Sequence, residues 1–190
     1  MNHITIVGLG ALGSHAVQAL RNMKHGLKLV DFDHVEQKNT LSQFHSNMTL
    51  RRNKAQAMQQ ALQGLWGVKV EAIPHKLADD NAKALLGGSR LVIDCTDNLA
   101  ARDCMMRFCQ SNDIPLLHGA MAADGSFAQV IWTERFKPDA ESGTGATCED
   151  GENLPFHLLV GSVIAQAAKT FITTGKQHSF QLAPTGVVRV

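Results

Sequence analysis

The sequence lacks the cysteine and histidine patterns that usually hold a structural metal or a disulfide framework. Its 190 residues contain four cysteines, none of which forms a C-x-x-C pair. The nine histidines are scattered, and no H-E-x-x-H motif occurs. These absences argue against a structural zinc site and against a fold stapled by disulfides, so we expect no zinc.

A strong charge of either sign is also missing, as is a long apolar run near either terminus. The formal net charge is +1, which predicts no general attraction to nucleic acid or to a membrane surface. The apolar runs near the termini fall well short of a membrane span, and Met1 leads directly into a predicted strand. We therefore expect a single cytoplasmic domain, residues 1–190, that binds neither nucleic acid nor a membrane.

A glycine-rich turn follows the first predicted strand, residues 4–7. Gly8, Gly10 and Gly13 form a G-x-G-x-x-G pattern that opens a predicted helix. In this pattern the first glycine allows a tight turn, the second lets a phosphate approach the backbone, and the third lets the helix pack closely on the strand. The N–H groups at the start of the helix then face the anion. The same spacing can serve a tight turn alone, but its setting favours nucleotide binding.

Two acids end the second predicted strand, residues 27–31. They are Asp31 and Asp33, about 20 residues beyond the glycines, where a dinucleotide fold holds a ribose hydroxyl. Either acid could instead be a capping or turn carboxylate. We favour ribose contact for Asp31 and leave the role of Asp33 open.

A predicted helix at 50–62 begins with an unusual concentration of positive charge. Its expected first turn carries Arg51, Arg52 and Lys54. Cations there oppose the helix dipole, at a cost of about a few tenths of a kcal/mol each. The cluster is either a solvated basic face or a site where a bound polyphosphate supplies the missing negative charge.

Two more aspartates, Asp94 and Asp97, follow the buried-type strand predicted at 90–94. Ligands of doubly wound sheets bind at the carboxyl ends of the strands. The two acids are therefore helix N-caps or groups that handle metal and phosphate, and we expect Asp94 to be the one that acts as a structural cap.

The remaining patterns define the fold class. Further strands are predicted at 68–73, 116–118, 127–133, 180–183 and 187–190, and further helices at 79–86 and 156–171. Together they predict an α/β domain with a Rossmann-like, largely parallel sheet flanked by helices, and with additional antiparallel C-terminal strands. Residues 134–155 hold six acids and three glycines, which predicts a long mobile loop.

Taken together, these motifs resemble the ThiF/MoeB family, the ubiquitin-activating-enzyme-like adenylyltransferases. The resemblance extends weakly through His118, Thr147 and Cys148 to residues 158–173. The matching segments are GLGALG at 8–13, DFDHVE at 31–36, Asn39, Gln43, Lys54, and DCTDN at 94–98 with Arg102.

The resemblance implies an activity, its cofactors and its partners. The C-terminal glycine carboxylate of a small ubiquitin-like or sulfur-carrier protein would attack the α-phosphate of MgATP, giving an acyl-adenylate and pyrophosphate. A homodimer or a heteromeric partner is expected. By the same implication Asp31 holds the ribose, Lys54 contacts phosphate and Asp97 coordinates Mg²⁺. The implied nucleotide site comprises Gly8, Gly10, Gly13, Asp31, Asp33, Asn39, Gln43, Lys54, Asp97 and Asn98.

Cys148 lies where some members of the family carry a cysteine that accepts the activated carrier. The glycine-rich composition around it predicts an accessible thiol. Glu149 and Asp150 are like charges that disfavour a thiolate, however. Cys148 is therefore either a catalytic thiol, with Asp97 and Lys54 as the other catalytic groups, or an inert loop cysteine.

Three departures from the family pattern leave other functions open. Ser42 replaces the usual arginine before Gln43, the chain begins too late for the family's N-terminal arginine helix, and the zinc-binding C-x-x-C pairs are absent. Arg51 or Arg52 could substitute for the missing arginines. The alternatives are a non-catalytic member that binds a partner and a nicotinamide-dependent oxidoreductase, although an oxidoreductase needs neither Lys54 nor the 94–98 segment.

Overall fold

The computed structural model describes residues 3–133 and 151–190. Within those ranges the strands form one mixed sheet in the order β3-β2-β1-β4-β5-β6-β7-β8. The strands are β1 His3–Val7, β2 Gly26–Val30, β3 Glu71–Ile73, β4 Ser89–Asp94, β5 Leu116–Met121, β6 Ala128–Trp132, β7 Phe180–Ala183 and β8 Gly186–Arg189. The helices are α1 Ala11–Leu20, α2 Asn39–Ser42, α3 Lys54–Trp66, α4 Ala82–Leu86, α5 Leu99–Ser111 and α6 Leu154–Thr174.

The pairing of the strands confirms the predicted fold class. Strands β3, β2, β1, β4 and β5 pair in parallel, whereas β6, β7 and β8 pair antiparallel. The reversal of strand order between β1 and β4 is the topology at which doubly wound folds bind ligands, outside the carboxyl ends of the strands. The chain segments that follow β1, β2 and β4 therefore meet at one edge of the sheet.

Apolar side chains cover both faces of the sheet and explain why the parallel strands are so hydrophobic. Because successive residues of a strand point to opposite faces, Ile93 joins one core cluster while its neighbour Val92 joins the other. The first cluster packs under α1, α3 and α6, and the second packs under α4 and α5.

Helix α6 is long and apolar enough, at 21 residues, to cross a membrane by length and composition alone. Half of the most apolar 18-residue stretch of this helix is buried within the protein, however, as in a helix that packs on a core. Its Gly161 lies against α1 so closely that an added Cβ would stand 2.7 Å from the Cβ of His15. The glycine therefore sets the spacing between α1 and α6.

Several predicted boundaries differ from the observed ones, and the start of α3 is the difference that affects the site. Helix α3 begins at Lys54 rather than at residue 50, because the Asn53 side chain caps it by accepting hydrogen bonds from the N–H groups of the first turn. Arg51 and Arg52 precede the helix, and only Lys54 of the three cations lies in its first turn. The predicted mobile loop at about 134–155 overlaps the first residues of α6, which begins at Leu154; residues 134–150, with Cys148, lie outside the described residues.

We expect Gly161→Ala to destabilise the fold by about 1–3 kcal/mol, because the added methyl group would stand 2.7 Å from the His15 Cβ and 3.1 Å from the Ala16 nitrogen of α1. Gly64→Ala is the matched control: this glycine also lies in a helix, but nothing stands within 4 Å of an added Cβ. That variant should gain up to about 1 kcal/mol from helix propensity. Urea unfolding measures both, and equal effects of the two substitutions would contradict close packing of α1 against α6.

Candidate nucleotide site

The glycine loop between β1 and α1 has the geometry that the sequence predicts. Gly8 has φ +88°, a conformation that side chains disfavour, and a Cβ there would stand 2.7 Å from the Cys95 carbonyl oxygen. A Cβ on Gly13 would overlap the Gly8 carbonyl oxygen. At Gly10, by contrast, the nearest neighbour of an added Cβ is the Gln43 Nε2, 4.0 Å away. Gly8 and Gly13 are thus required by packing, while the backbone at Gly10 can be approached.

The amides of the loop divide into two groups. The Gly8 N–H donates to the Val30 carbonyl at 3.0 Å, and the Leu9 N–H donates to Asp31 Oδ2 at 2.6 Å. Both amides are therefore occupied by the end of β2. Helix α1 has no side-chain cap, and the first-turn N–H groups of Ala11 and Leu12 have no acceptor among the described residues. Those amides are available to an anion.

Asp31 and Asp33 lie in different environments. Asp31 is buried, and its carboxylate accepts the N–H groups of Leu9 and Asp33. Burial raises the pKa of Asp31, while the two backbone hydrogen bonds partly offset that effect. Asp33 has a side chain that is 52% exposed, and its Oδ2 lies 3.5 Å from Lys54 Nζ. Asp31 thus holds the glycine loop to β2, whereas the Asp33 carboxylate remains accessible.

Asn53 was not predicted as a site residue, yet it joins residues 31–33, which we call the acid loop, to α3. Its Nδ2 donates to the carbonyl groups of Asp31 at 2.8 Å and Asp33 at 3.1 Å, while its Oδ1 caps the helix. The next residue, Lys54, donates its backbone N–H to the Asp33 carbonyl at 2.8 Å. The Lys54 side chain is only 10% exposed, so its ammonium is held beside Asp33. An asparagine before a helical pattern was the available sequence signal.

The segment that follows α2 packs against the glycine loop. Asn39 is buried and its Oδ1 accepts the Glu36 N–H at 2.9 Å, so it shapes the loop before α2. The Gln43 Oε1 is buried and has no hydrogen-bond partner among the described residues. His45, which no local pattern marks, has its Nε2 3.0 Å from the Leu9 carbonyl, to which the ring N–H donates.

The position at which the family pattern has an arginine is occupied by a buried serine in this protein. Ser42 is fully buried, and its carbonyl oxygen lies 3.0 Å from the Nε2 of His15. Arg52 donates from Nη1 to Gln60 Oε1 on α3 at 2.8 Å, and both Arg51 and Arg52 are exposed. The structure therefore gives no contact between these arginines and the glycine loop.

The segment after β4 completes the edge of the sheet. The Cys95 N–H donates to the Val7 carbonyl at 2.8 Å, which ties the segment to β1. Asn98 caps α5 through its Oδ1, which accepts the Ala101 N–H at 2.9 Å. The prediction that Asp94 acts as a cap is therefore wrong: its carboxylate is fully buried between β4, β5 and α5. Asp97 is exposed.

A single exposed carboxylate suits one kind of metal binding. No group of three histidine, cysteine or acidic residues that could cage a metal occurs in residues 3–133 and 151–190. Mg²⁺ needs no such cage, because it binds through one or two carboxylates together with substrate phosphates. Asp97 fits that requirement at the edge where the glycine loop begins α1.

The cysteines of the described chain are not nucleophiles in this structure. Cys104 and Cys109 are buried, and burial raises the pKa of their thiols to about 11 and about 12. Burial also raises the pKa of Cys95 far above the ordinary value. A thiolate is disfavoured at all three positions.

The ThiF family profile matches residues 1–184, and this chain belongs to the ThiF family. It is 35% identical over 120 residues to the molybdopterin-synthase adenylyltransferase of Salmonella typhimurium, covering 62% of this chain and 48% of that protein. It is 32% identical over 123 residues to the SAMP-activating enzyme E1 of Haloferax volcanii, covering 63% and 46%. The chain spans about half the length of these curated relatives.

Solved structures share the fold. E. coli MccB superposes with a TM-score of 0.82 over 100% of this chain and 63% of that chain, at 14% identity, which shows the fold alone. The E. coli tRNA N6-threonylcarbamoyladenosine dehydratase TcdA, solved in complex with ATP, is 27% identical with a TM-score of 0.58. That match covers 67% of this chain and 56% of TcdA.

The buried imidazole of His45 should make the free energy of unfolding depend on pH. Burial lowers its pKa from 6.5 to about 4, so the folded protein resists a proton that the unfolded chain accepts. The contribution of neutral His45 to stability is therefore fully present above pH 6.5 and is lost as the pH falls towards 4. The expected loss from His45 is about 2 kcal/mol between about pH 7.5 and about pH 5. Urea unfolding at the two pH values measures it.

His45→Gln is the matched variant, because the amide of glutamine can still donate to Leu9 but does not titrate. His15, whose pKa burial also lowers, contributes in the same direction, and Asp31, whose pKa is raised, contributes in the opposite one. Both remain in the variant, so the difference isolates His45. An identical pH dependence in the two proteins would show that the histidine is not held neutral.

Proposed function

We propose that this chain is an ATP-dependent adenylyltransferase that activates the C-terminal glycine carboxylate of a small ubiquitin-like or sulfur-carrier protein. The observation that carries the proposal is Lys54, a nearly buried cation in the first turn of a helix and 3.5 Å from Asp33. The helix dipole disfavours a cation at that position. The half-exposed Asp33 carboxylate offsets part of this cost, and a bound phosphate would offset more. The names of the two curated relatives support the same chemistry.

In this proposal each part of the sheet edge has a role in binding ATP. The first-turn amides of α1 and the Lys54 ammonium bind phosphate, and Gly10 leaves room for it. The ribose hydroxyl groups contact the acid loop, where Asp31 is the predicted acceptor and Asp33 is the more accessible one. Gln43 supplies to the same space a buried carbonyl oxygen that no group in the described part of the chain hydrogen-bonds.

The reaction follows from charge neutralisation at this edge. A carrier carboxylate oxygen attacks the α-phosphorus, the bond to the bridging oxygen of the β-phosphate breaks, and pyrophosphate leaves without proton transfer. Repulsion between the carboxylate and the polyphosphate is the main barrier, which Lys54 and oriented amides lower electrostatically. Mg²⁺, when bound through Asp97, supplies further neutralisation of the phosphates.

A non-catalytic family member that binds a carrier is the second candidate, because Ser42 is buried where the resemblance expects an arginine. If the chain is instead an adenylyltransferase, the missing cation comes from Arg51, from Arg52 or from a partner chain, and the activity of the isolated chain should be low. The adenylyltransferase proposal also includes a homodimer or a heteromeric partner, a cytoplasmic location and a thiol role for Cys148.

Lys54→Ala should weaken ATP binding by roughly tenfold or more, since a charge-assisted hydrogen bond contributes about 1.5–3 kcal/mol. Trp66 can report binding because its ring stacks on Phe44, with centroids 6.0 Å apart, next to Gln43. The other tryptophan, Trp132, is buried against Phe171 and can be replaced by phenylalanine in every protein tested. Lys69→Ala, at an exposed lysine beyond α3, is the control.

ATP should change the Trp66 fluorescence at lower concentration than NAD does. Equal ATP affinity in the Lys54 and Lys69 variants would remove Lys54 from the site. Tighter binding of NAD than of ATP would instead favour an oxidoreductase.

Exchange of labelled pyrophosphate into ATP, dependent on a glycine-terminated carrier, tests catalysis itself. Asp97→Asn should lower the exchange rate by roughly a hundredfold, because the amide cannot replace a charged metal ligand. Asp80→Asn, at an exposed aspartate before α4, should leave the rate unchanged. ATP binding without any exchange would favour the non-catalytic candidate, and full exchange by the Asp97 variant would move the metal role elsewhere.

A further inference from the structure

A buried cluster of charged and polar side chains lies beneath the 95–98 segment. Its centre is Asp94, whose side chain is 0% exposed. Asp94 Oδ2 lies 2.8 Å from His118 Nδ1, which donates to it, and 3.2 Å from Arg102 Nε, an ion pair. Asp94 and His118 are register partners on the parallel strands β4 and β5, so their side chains point to the same face. We call Asp94, His118 and Arg102 the Asp94 cluster.

The Asp94 cluster holds Thr96 at each of its polar atoms. Asp94 Oδ1 accepts both the Thr96 N–H and the Thr96 hydroxyl at 2.8 Å. The Thr96 carbonyl accepts a hydrogen bond from the Arg102 guanidinium. One residue further on, Asn98 is fixed as the cap of α5. Asp97, which is exposed, therefore projects from a backbone that is held on both sides.

We propose that Asp94, His118 and Arg102 are positioning residues that fix the Asp97 carboxylate for binding of metal and nucleotide. The proposal rests on the proposed function, since it takes Asp97 as the Mg²⁺ ligand. The proposal explains why charged side chains from β4, β5 and α5 contact one another beneath Asp97. If the turn that carries the carboxylate were mobile, metal binding would have to order it, and the entropic cost of that ordering would lower the affinity for metal.

Stability does not explain the Asp94 cluster by itself. Burying an aspartate and an arginine costs desolvation free energy, and apolar side chains of similar volume often serve the fold equally well. The neighbouring positions of β4 and β5 are occupied by such apolar residues, among them Val92 and Leu116. Side chains that support a metal ligand, in contrast, typically change metal affinity or activity by roughly 10–100-fold when removed.

His118 provides the sharpest pair of variants. His118→Leu removes the donor to Asp94 and keeps a side chain of similar size. His118→Asn keeps a donor, because the amide nitrogen of asparagine occupies nearly the same position as Nδ1 of histidine. The leucine variant should therefore release the 95–98 segment, and the asparagine variant should retain it.

Arg102 and Arg107 provide a second matched pair on α5. Arg102 contacts the buried Asp94, whereas Arg107 forms an exposed ion pair with Asp79, with Nη2 to Oδ1 at 2.8 Å. Arg102→Gln should behave like His118→Leu. Arg107→Gln should behave like the unmodified protein, since it changes an arginine of the same helix outside the Asp94 cluster.

Two readouts test the proposal without requiring catalysis. The first is the ratio of the ATP dissociation constants measured with EDTA and with MgCl₂. His118→Leu and Arg102→Gln should lose roughly tenfold of the tightening by Mg²⁺ while the metal-free affinity stays unchanged. The second is hydrogen exchange of the Thr96 amide, which should become faster in these two variants and remain slow in His118→Asn and Arg107→Gln.

The outcomes separate this proposal from the proposed function. If the unmodified protein binds no ATP, the proposed function fails, and Thr96 exchange alone then decides whether the Asp94 cluster fixes the segment. Unchanged Thr96 exchange and an unchanged Mg²⁺ effect in His118→Leu and Arg102→Gln would overturn the positioning role. Equal defects in His118→Asn and His118→Leu would also overturn it, because they would assign the effect to the shape of the ring rather than to its hydrogen bond.

Discussion

The hydrogen bond from the Leu9 N–H to the Asp31 carboxylate, 2.6 Å long, joins the glycine loop to the end of β2. The missing Cβ of Gly8 lets the same loop lie against the Cys95 carbonyl group after β4, which an added Cβ would approach to 2.7 Å. Once Asp31 is committed to this contact, Asn53 holds the acid loop from the other side and begins α3 at Lys54. The position of the lysine thus depends on a backbone amide of the glycine loop.

The balance of charge at this edge explains why the contacts recur in one place. Asp31 is buried and its carboxylate is stabilised by backbone N–H groups, whereas Asp33 pairs with Lys54. The first-turn N–H groups of Ala11 and Leu12 have no acceptor among residues 3–133 and 151–190, and the Lys54 ammonium lies at the positive end of α3. N–H groups without an acceptor at a helix N-terminus, next to a lysine, favour an anionic ligand.

The sequence predicts the fold and the glycine loop well because both depend on local signals. Short runs of β-branched and other apolar residues predicted β1 and β4, and the glycine spacing predicted the turn at Gly8. The start of α3 was misjudged because helical periodicity does not reveal a cap, and Asn53 is bound to residues about 20 positions away in the chain. His45 and Asp94 were missed or misassigned for a related reason. Their roles depend on Leu9 and His118, which the chain brings near only on folding.

In the proposed reaction a carrier carboxylate attacks the α-phosphate of ATP at this sheet edge. An isotope experiment tests this step: the C-terminal carboxylate of a glycine-terminated carrier is labelled with ¹⁸O and incubated with MgATP and this protein, and the product is hydrolysed at its acyl carbon. The bridging oxygen of an acyl-adenylate derives from the carboxylate, so we expect AMP that carries ¹⁸O. AMP formed without the label would contradict it, because water or another nucleophile would then have attacked the phosphorus.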